Sequence, residues 1–177
     1  MIDQYKIFKD NIQSLKKISE DTTNHEFMCE LEIEAVNFDM VKRMYVNSLY
    51  LSEDNSKSVD ALLFHGENSI FIEFKNGDMH NQKREVKEKI KDSLLIFCDI
   101  IDKNISHTRK KLDFVLVYNS EKNPKSVNLK LITDHLNAKA NREEIRFGLE
   151  EYPKLYFNNI HTYDKIEFEN YIKTTIF

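Results

Sequence analysis

KSVDALLFHGENSIFIEFKNG, residues 57–77, holds two short apolar runs, Val59 to His65 and Ser69 to Lys75, separated by Gly66-Glu67. Glycine at the first central position is what a two-residue type II′ turn requires, so the stretch predicts a tight β-hairpin. Side chains alternate along a strand, which puts Ser69, Phe71, Glu73 and Lys75 on one face and Ile70, Ile72 and Phe74 on the other. With the turn at Gly66-Glu67, His65 pairs with Asn68, and counting back sets Asp60 directly across from Glu73. Directly opposed residues have Cβ atoms about 4.5–5.5 Å apart. A three-residue turn would instead set Asp60 across from Phe74.

Two ionisable side chains on an otherwise apolar strand need a physical reason, because burying a lone charge costs several kcal/mol. Two carboxylates at that separation repel unless a cation lies between them. Hard oxygen ligands in incomplete number, with room for water and phosphate oxygens, suit Mg²⁺ or Mn²⁺. Lys75 would then stand beside the metal, placed to orient a water and to stabilise charge on an attacked phosphate. The Glu-X-Lys pattern recurs at Glu85-Val86-Lys87, inside an expected helix, where a solvated, salt-bridged face is the simpler reading.

Outward from this hairpin, spacing predicts the other elements. Tyr5, Phe8, Ile12 and Leu15 follow a helical stripe over residues 4–19, and residues 29–35 fit both a strand and a helix. Tyr45 to Leu51 reads as a strand. Val86, Ile90, Leu94, Phe97 and Ile101 mark one buried face of a long helix between Met79 and Asp102, and Asp113 to Tyr118 is apolar enough for an interior strand. Leu129, Ile132, Leu136 and Ala140 suggest a helix, and Lys154 to Tyr163 a strand. Asp164 with Glu167 forms a capping box that opens a last helix.

The chain has 177 residues, of which 41% are hydrophobic and 32% charged, which fits one α/β domain spanning residues 1–177. No apolar run is long enough to span a bilayer, and the N-terminus lacks a basic head followed by an apolar stretch, so no membrane association and a cytoplasmic address are expected. Cys29 and Cys98 have no metal-type spacing and are expected to be free, buried thiols. Three glycines, none close to another, exclude phosphate-cradling loops and dinucleotide fingerprints. The six histidines are scattered, and no serine lies in a nucleophile-elbow context. A net charge of −4 argues against general nucleic-acid coating while leaving room for a local basic patch.

Ser58-Val59-Asp60, a hairpin, Ile72-Glu73-Phe74-Lys75-Asn76-Gly77 and a following long helix together resemble the core of the PD-(D/E)XK nuclease superfamily, over about residues 44–119. The resemblance implies a restriction-endonuclease-like mixed β-sheet flanked by helices, an αβββαβ core with C-terminal α-β-α additions. It implies Asp60, Glu73 and the Phe74 carbonyl as ligands of Mg²⁺ or Mn²⁺, Lys75 as the catalytic lysine, and DNA phosphodiester hydrolysis as the reaction. Val59 replaces the proline sometimes found before the aspartate. A further carboxylate from the opening region is expected, with Glu30 preferred over Glu26 and Glu34, although a row of glutamates also fits a solvated face. Lys83, Lys87 and Lys91, with Gln82, are candidate nucleic-acid contacts on the long helix, against the alternative of an exposed face paired with Glu85 and Glu88. Two other functions stay open: an inactive nuclease-fold protein of partner or immunity type, and an RNA-acting or unrelated α/β protein in which the triplet is accidental.

Overall fold

The structure, a computed structural model, describes residues 4–124 and 144–176. Its main element is a six-stranded mixed sheet with helices on both faces. In chain order come α1 (Lys6–Lys9), β1 (Ile12–Ser14), α2 (Leu15–Ile18), β2 (Glu20–Asp21), β3 (Glu26–Phe27), β4 (Glu34–Asn37) and α3 (Phe38–Ser48). The hairpin β5 (Ala61–His65) and β6 (Asn68–Lys75) follows, then α4 (Lys83–Ile101), α5 (Ile105–Lys111) and β7 (Leu112–Tyr118). The chain closes with α6 (Tyr152–Leu155), β8 (Ile160–Tyr163) and α7 (Lys165–Ile176). The sheet order is β1-β4-β5-β6-β7-β8, and β2 pairs with β3 in a separate ribbon. Strands β1, β4, β5 and β6 are antiparallel, whereas β6, β7 and β8 run parallel.

The hairpin forms in the expected two-residue register, with His65 paired to Asn68 and Ala61 to Ile72. Gly66 has φ +56°, and Glu67 is absent from the residues with positive φ, the combination a type II′ turn needs. Alternation along β6 sorts the core. Phe71 packs with Phe8, Phe38, Val86, Ile90 and Phe97 under α1, α3 and α4. Ile70 and Ile72 pack with Leu15, Val115, Val117, Phe168 and Ile172 under α2 and α7, and the Phe74 ring meets Phe168 at 5.6 Å.

Three expected elements are different. Residues 4–19 form two short helices around β1, because Ile12–Ser14 pair with β4 and interrupt the helix; Phe8 and Leu15, on one stripe by spacing, pack on opposite sides of the sheet. The expected strand over Tyr45 to Leu51 is the end of α3 and the turn after it: Asn37 caps the helix by accepting from Met40 N–H at 3.1 Å. Between Lys154 and Tyr163 the strand occupies only Ile160–Tyr163, preceded by α6 with Pro153 in its first turn. The ambiguous segment near residues 29–35 becomes strand only from Glu34.

The remaining elements follow the sequence. The long helix starts at Lys83, and β7 lies inside the sheet. The capping box is reciprocal: Glu167 N–H donates to Asp164 Oδ1 at 3.0 Å and Asp164 N–H to Glu167 Oε2 at 2.9 Å. Cys29 is buried and Cys98 half-buried, both free. The helix suggested by Leu129 to Ala140 lies outside the described residues. No described helix is long and apolar enough to cross a membrane.

Candidate functional site

Asp60 sits at the entry to β5, fixed on both sides. Its N–H donates to the Ile72 carbonyl at 3.1 Å, and its carbonyl accepts from Phe38 N–H at 2.9 Å. The paired ladder ends at Ala61 and Ile72, one residue short of it, and Asp60 comes to Glu73 through the Lys89 ammonium that both carboxylates meet. Its Oδ2 accepts from Phe74 N–H at 2.6 Å, so the carboxylate leans onto the strand that carries Glu73 and Lys75.

Glu73 is fully buried, on the α4 side of the sheet next to Phe71. Lys75, 12% exposed at its side chain, reaches Glu73 Oε1 at 3.2 Å and Glu85 Oε1 at 3.0 Å. A second lysine, from α4, completes the cluster: Lys89 Nζ lies 2.8 Å from Glu73 Oε1 and 3.2 Å from Asp60 Oδ1. Glu73 Oε1 thus meets two ammonium groups at ion-pair distance without a well-aligned hydrogen bond, and Oε2 has no hydrogen-bond partner among the described residues.

Glu85, Lys89 and Ser93 recur every four residues and so share one face of α4. Ser93 Oγ accepts from Val59 N–H at 2.8 Å, which clamps that face to the segment entering β5 and sets where Lys89 points. From the first turn of α3, Asp39 adds another carboxyl, hydrogen-bonded by the Ser58 hydroxyl. Asp39, Asp60, Lys75 and Lys89 line one cavity of about 310 Å³ together with Glu20, Asp21 and Asn76.

The electrostatics follow from burial and from an excess of carboxyls. Burial, and then the Asp60 charge, push the Glu73 carboxyl up to about 8. Burial and Asp60 likewise raise Asp39 above the usual carboxylate range. Burial alone would lower the Lys89 ammonium, yet Asp60, Glu73 and Asp39 outweigh it and hold Lys89 above its ordinary value. For Glu85 the penalty of burial is outweighed by Lys75, and its carboxyl falls. Asp39, Asp60, Glu73 and Glu85 share Lys75 and Lys89 at close range, with Lys42 acting on Asp39 and Lys57 on Glu85 from farther off, so the cluster favours added positive charge, whether a proton or a cation.

Of the residues singled out from sequence, the structure brings Asp60, Glu73 and Lys75 together. Glu30 is elsewhere: Lys16 at 3.0 Å and Lys165 at 3.2 Å hold it, at a separate cavity with His25 and Phe27. Gln82 packs its amide over Gly77, where a Cβ would fall 2.4 Å from its Nε2. Lys83 lines a different cavity with Asp78 and Arg146, Lys87 Nζ lies 5.7 Å from the Tyr152 ring centroid, and Lys91 is exposed. These three are offset by two residues, about 200°, from Glu85, Lys89 and Ser93, so the basic stripe lies on the far side of α4 from the cavity. Glu85, expected on a solvated, salt-bridged face, is partly exposed and pairs with Lys75 across to β6.

Sequence reading missed Lys89, Asp39 and Asp21. Lys89 is flanked by Val86 and Ile90 of the apolar stripe, and that inward placement was its one available signal. Asp21 is positioned by the amides of Asn24 and Asn76, which hold its carboxyl down to about 2. The chain matches no protein-family model, no curated protein and no solved structure.

Proposed function

We propose that the protein is a metal-dependent nuclease of the restriction-endonuclease-like type, in which Asp60 and Glu73 hold Mg²⁺ or Mn²⁺ and Lys75 serves hydrolysis of DNA phosphodiester bonds. The observation that carries this reading is the convergence of Asp60, Glu73 and Lys75 on one cluster in which the buried Glu73 keeps an oxygen, Oε2, without a partner. A buried carboxylate oxygen left unmatched is costly, and a divalent cation is the ligand that satisfies it best. Among the described residues no three of His, Cys, Asp and Glu are grouped so as to hold a metal ion by themselves. A cation here would rest on Asp60, Glu73 and the Phe74 carbonyl, with water and phosphate oxygens completing its ligands.

A bound divalent cation would supply Lewis-acid stabilisation of the charge that builds on the attacked phosphate. The chain's own groups do the rest. Asp60 is held in place by Phe74 N–H, and Glu73 is fixed by the rigid centre of β6. Lys75, an ammonium tethered between Glu73 and Glu85, offers a further N–H to a phosphate oxygen at the cavity edge.

One observation favours a second reading, a nuclease-fold binding protein without activity. Lys89 already lies between the two carboxylates, as a structural ion pair would. A cleavage assay on single-stranded, double-stranded and branched DNA with Mg²⁺ or Mn²⁺, beside Glu73→Ala protein, separates the two: the nuclease cuts at least one form and loses that activity on substitution, and the binding protein cuts none.

A further inference from the structure

We infer that Lys89 is a positioning residue that acts as the resident counter-ion of the Asp60–Glu73 pair, and that a divalent cation enters only by displacing its ammonium. The inference rests on the metal-site reading above and adds a regulatory role to a residue outside the Asp60, Glu73 and Lys75 set. Lys89 Nζ lies within 3.2 Å of Asp60 Oδ1 and 2.8 Å of Glu73 Oε1, so it contacts an oxygen of each carboxylate offered to the cation. A cation on the open Glu73 Oε2 and on Asp60 would lie against the ammonium held by Glu73 Oε1 and Asp60 Oδ1, so ammonium and metal compete for the same carboxylate pair.

The placement is built into the fold. Ser93, one turn along α4, accepts from Val59 N–H and anchors that face of the helix beside the entry to β5. Lys89 is 17% exposed at its side chain and lines the cavity, so its flexible stem has space into which to withdraw. Asp39, on the same cavity and already among the charges acting on Lys89, is an alternative partner for the displaced ammonium. In the metal-free protein Lys89 offsets the repulsion of the two carboxylates and keeps them converged. In the loaded protein it raises the concentration of cation needed to fill the site.

The test is calorimetric titration of Mn²⁺ into chelator-stripped full-length protein, for wild type, Lys89→Met and Lys89→Arg, with thermal melting of each in chelator and in Mn²⁺. Lys89→Met is expected to bind Mn²⁺ at least about ten-fold tighter than wild type, the low end of what removing one partner of a buried charge pair does to an equilibrium. Lys89→Arg, which keeps a cation in place, is expected to bind no tighter than wild type. Lys89→Met should melt lower in chelator and gain more from Mn²⁺ than wild type does, by linkage. Should Lys89→Met not fold, Lys89→Gln carries the same expectation. Equal or weaker binding by the neutral variant, beside a wild type that binds, overturns the counter-ion role and leaves the metal site standing. No binding by either at millimolar Mn²⁺ overturns both.

Discussion

Lys89 Nζ lies 2.8 Å from Glu73 Oε1, so a fully buried strand carboxylate meets its nearest ammonium from a helix, ahead of the lysine two residues along its own strand at 3.2 Å. That relationship sets two ammonium groups against the charge of a buried carboxylate that lies near a second one. It also determines how the protein should respond to substitution and to pH.

Glu73 should make the metal-free protein less stable as pH rises. Its carboxyl titrates near 4.5 when unfolded and is pushed up to about 8 when folded, by burial first and by Asp60 second. Between those values the folded state binds the extra proton, so stability falls with rising pH until the folded group has also ionised. Glu73→Gln removes this slope. In urea denaturation with chelator from pH 5 to pH 9, the variant should gain on wild type steadily up to about pH 8 and then level off. A constant or shrinking difference would show that Lys89 and Lys75 fully neutralise Glu73.

Asp60→Asn keeps an acceptor for Phe74 N–H but offers Lys89 an amide in place of a charge. Stability in chelator should drop by ~1–3 kcal/mol, because a buried ammonium loses one partner. Mn²⁺ affinity, measured by calorimetry, should fall by about 100-fold or more, since one of two carboxylate ligands is gone.

Lys75→Ala should separate binding from chemistry. The carboxylates keep Lys89, so Mn²⁺ titration is expected to give an affinity equal to or above that of wild type. Cleavage should fall by at least about 100-fold, the scale of losing a positioned donor or acid–base group.

At the acidic end, Asp21 dominates. Asn24 and then Asn76 hold its carboxyl near 2 against an ordinary 3.8, so it contributes stability that is complete above about pH 4 and lost as pH falls toward 2. Asp21→Asn should lower the melting temperature at pH 7 and flatten its decline between pH 4 and pH 2, as followed by circular dichroism.

How much of this was legible in the sequence depended on whether the signal was local. Gly66 at the first turn position fixes the hairpin, and alternation along β6 places Glu73 and Lys75 on one face; the last step, from the end of the ladder at Ala61 to the Asp60 carboxylate, rests on Phe74 N–H and on Lys89, and the second of these lies outside the 57–77 stretch. The opening segment misled because Tyr5, Phe8, Ile12 and Leu15 have helical spacing, while pairing of Ile12 with Val36 is a contact that no local pattern contains. Tyr45 to Leu51 looked like a strand because Leu49, Tyr50 and Leu51 are apolar in succession, yet all three are exposed beyond the end of α3. Phe38, Val41 and Tyr45 carry a helical stripe into the start of that segment. Lys89 is hidden for a related reason: in a helix rich in lysine, Lys83, Lys87 and Lys91 form the regular stripe, while the lysine that reaches Glu73 is the one beside the apolar face.

The turn itself offers a check on the register. Gly66 has φ +56°, and a Cβ there would meet nothing within 4 Å, so Gly66→Ala should cost only the backbone strain, ~1–2 kcal/mol. The loss should be visible in denaturant midpoint and leave Mn²⁺ affinity of the folded protein unchanged. Loss of metal binding at equal folding would mean that the turn allows the strands to slip and carries Asp60 away from Glu73.

DNA cleavage with Mg²⁺ or Mn²⁺, run beside Glu73→Ala protein, decides whether Asp60 and Glu73 form a metal site serving phosphodiester hydrolysis. The expected result is metal-dependent cleavage of at least one of single-stranded, double-stranded or branched DNA, abolished by chelator and by Glu73→Ala. Cleavage that persists in chelator or in the variant would contradict it, as would no cleavage of any form by wild-type protein saturated with metal.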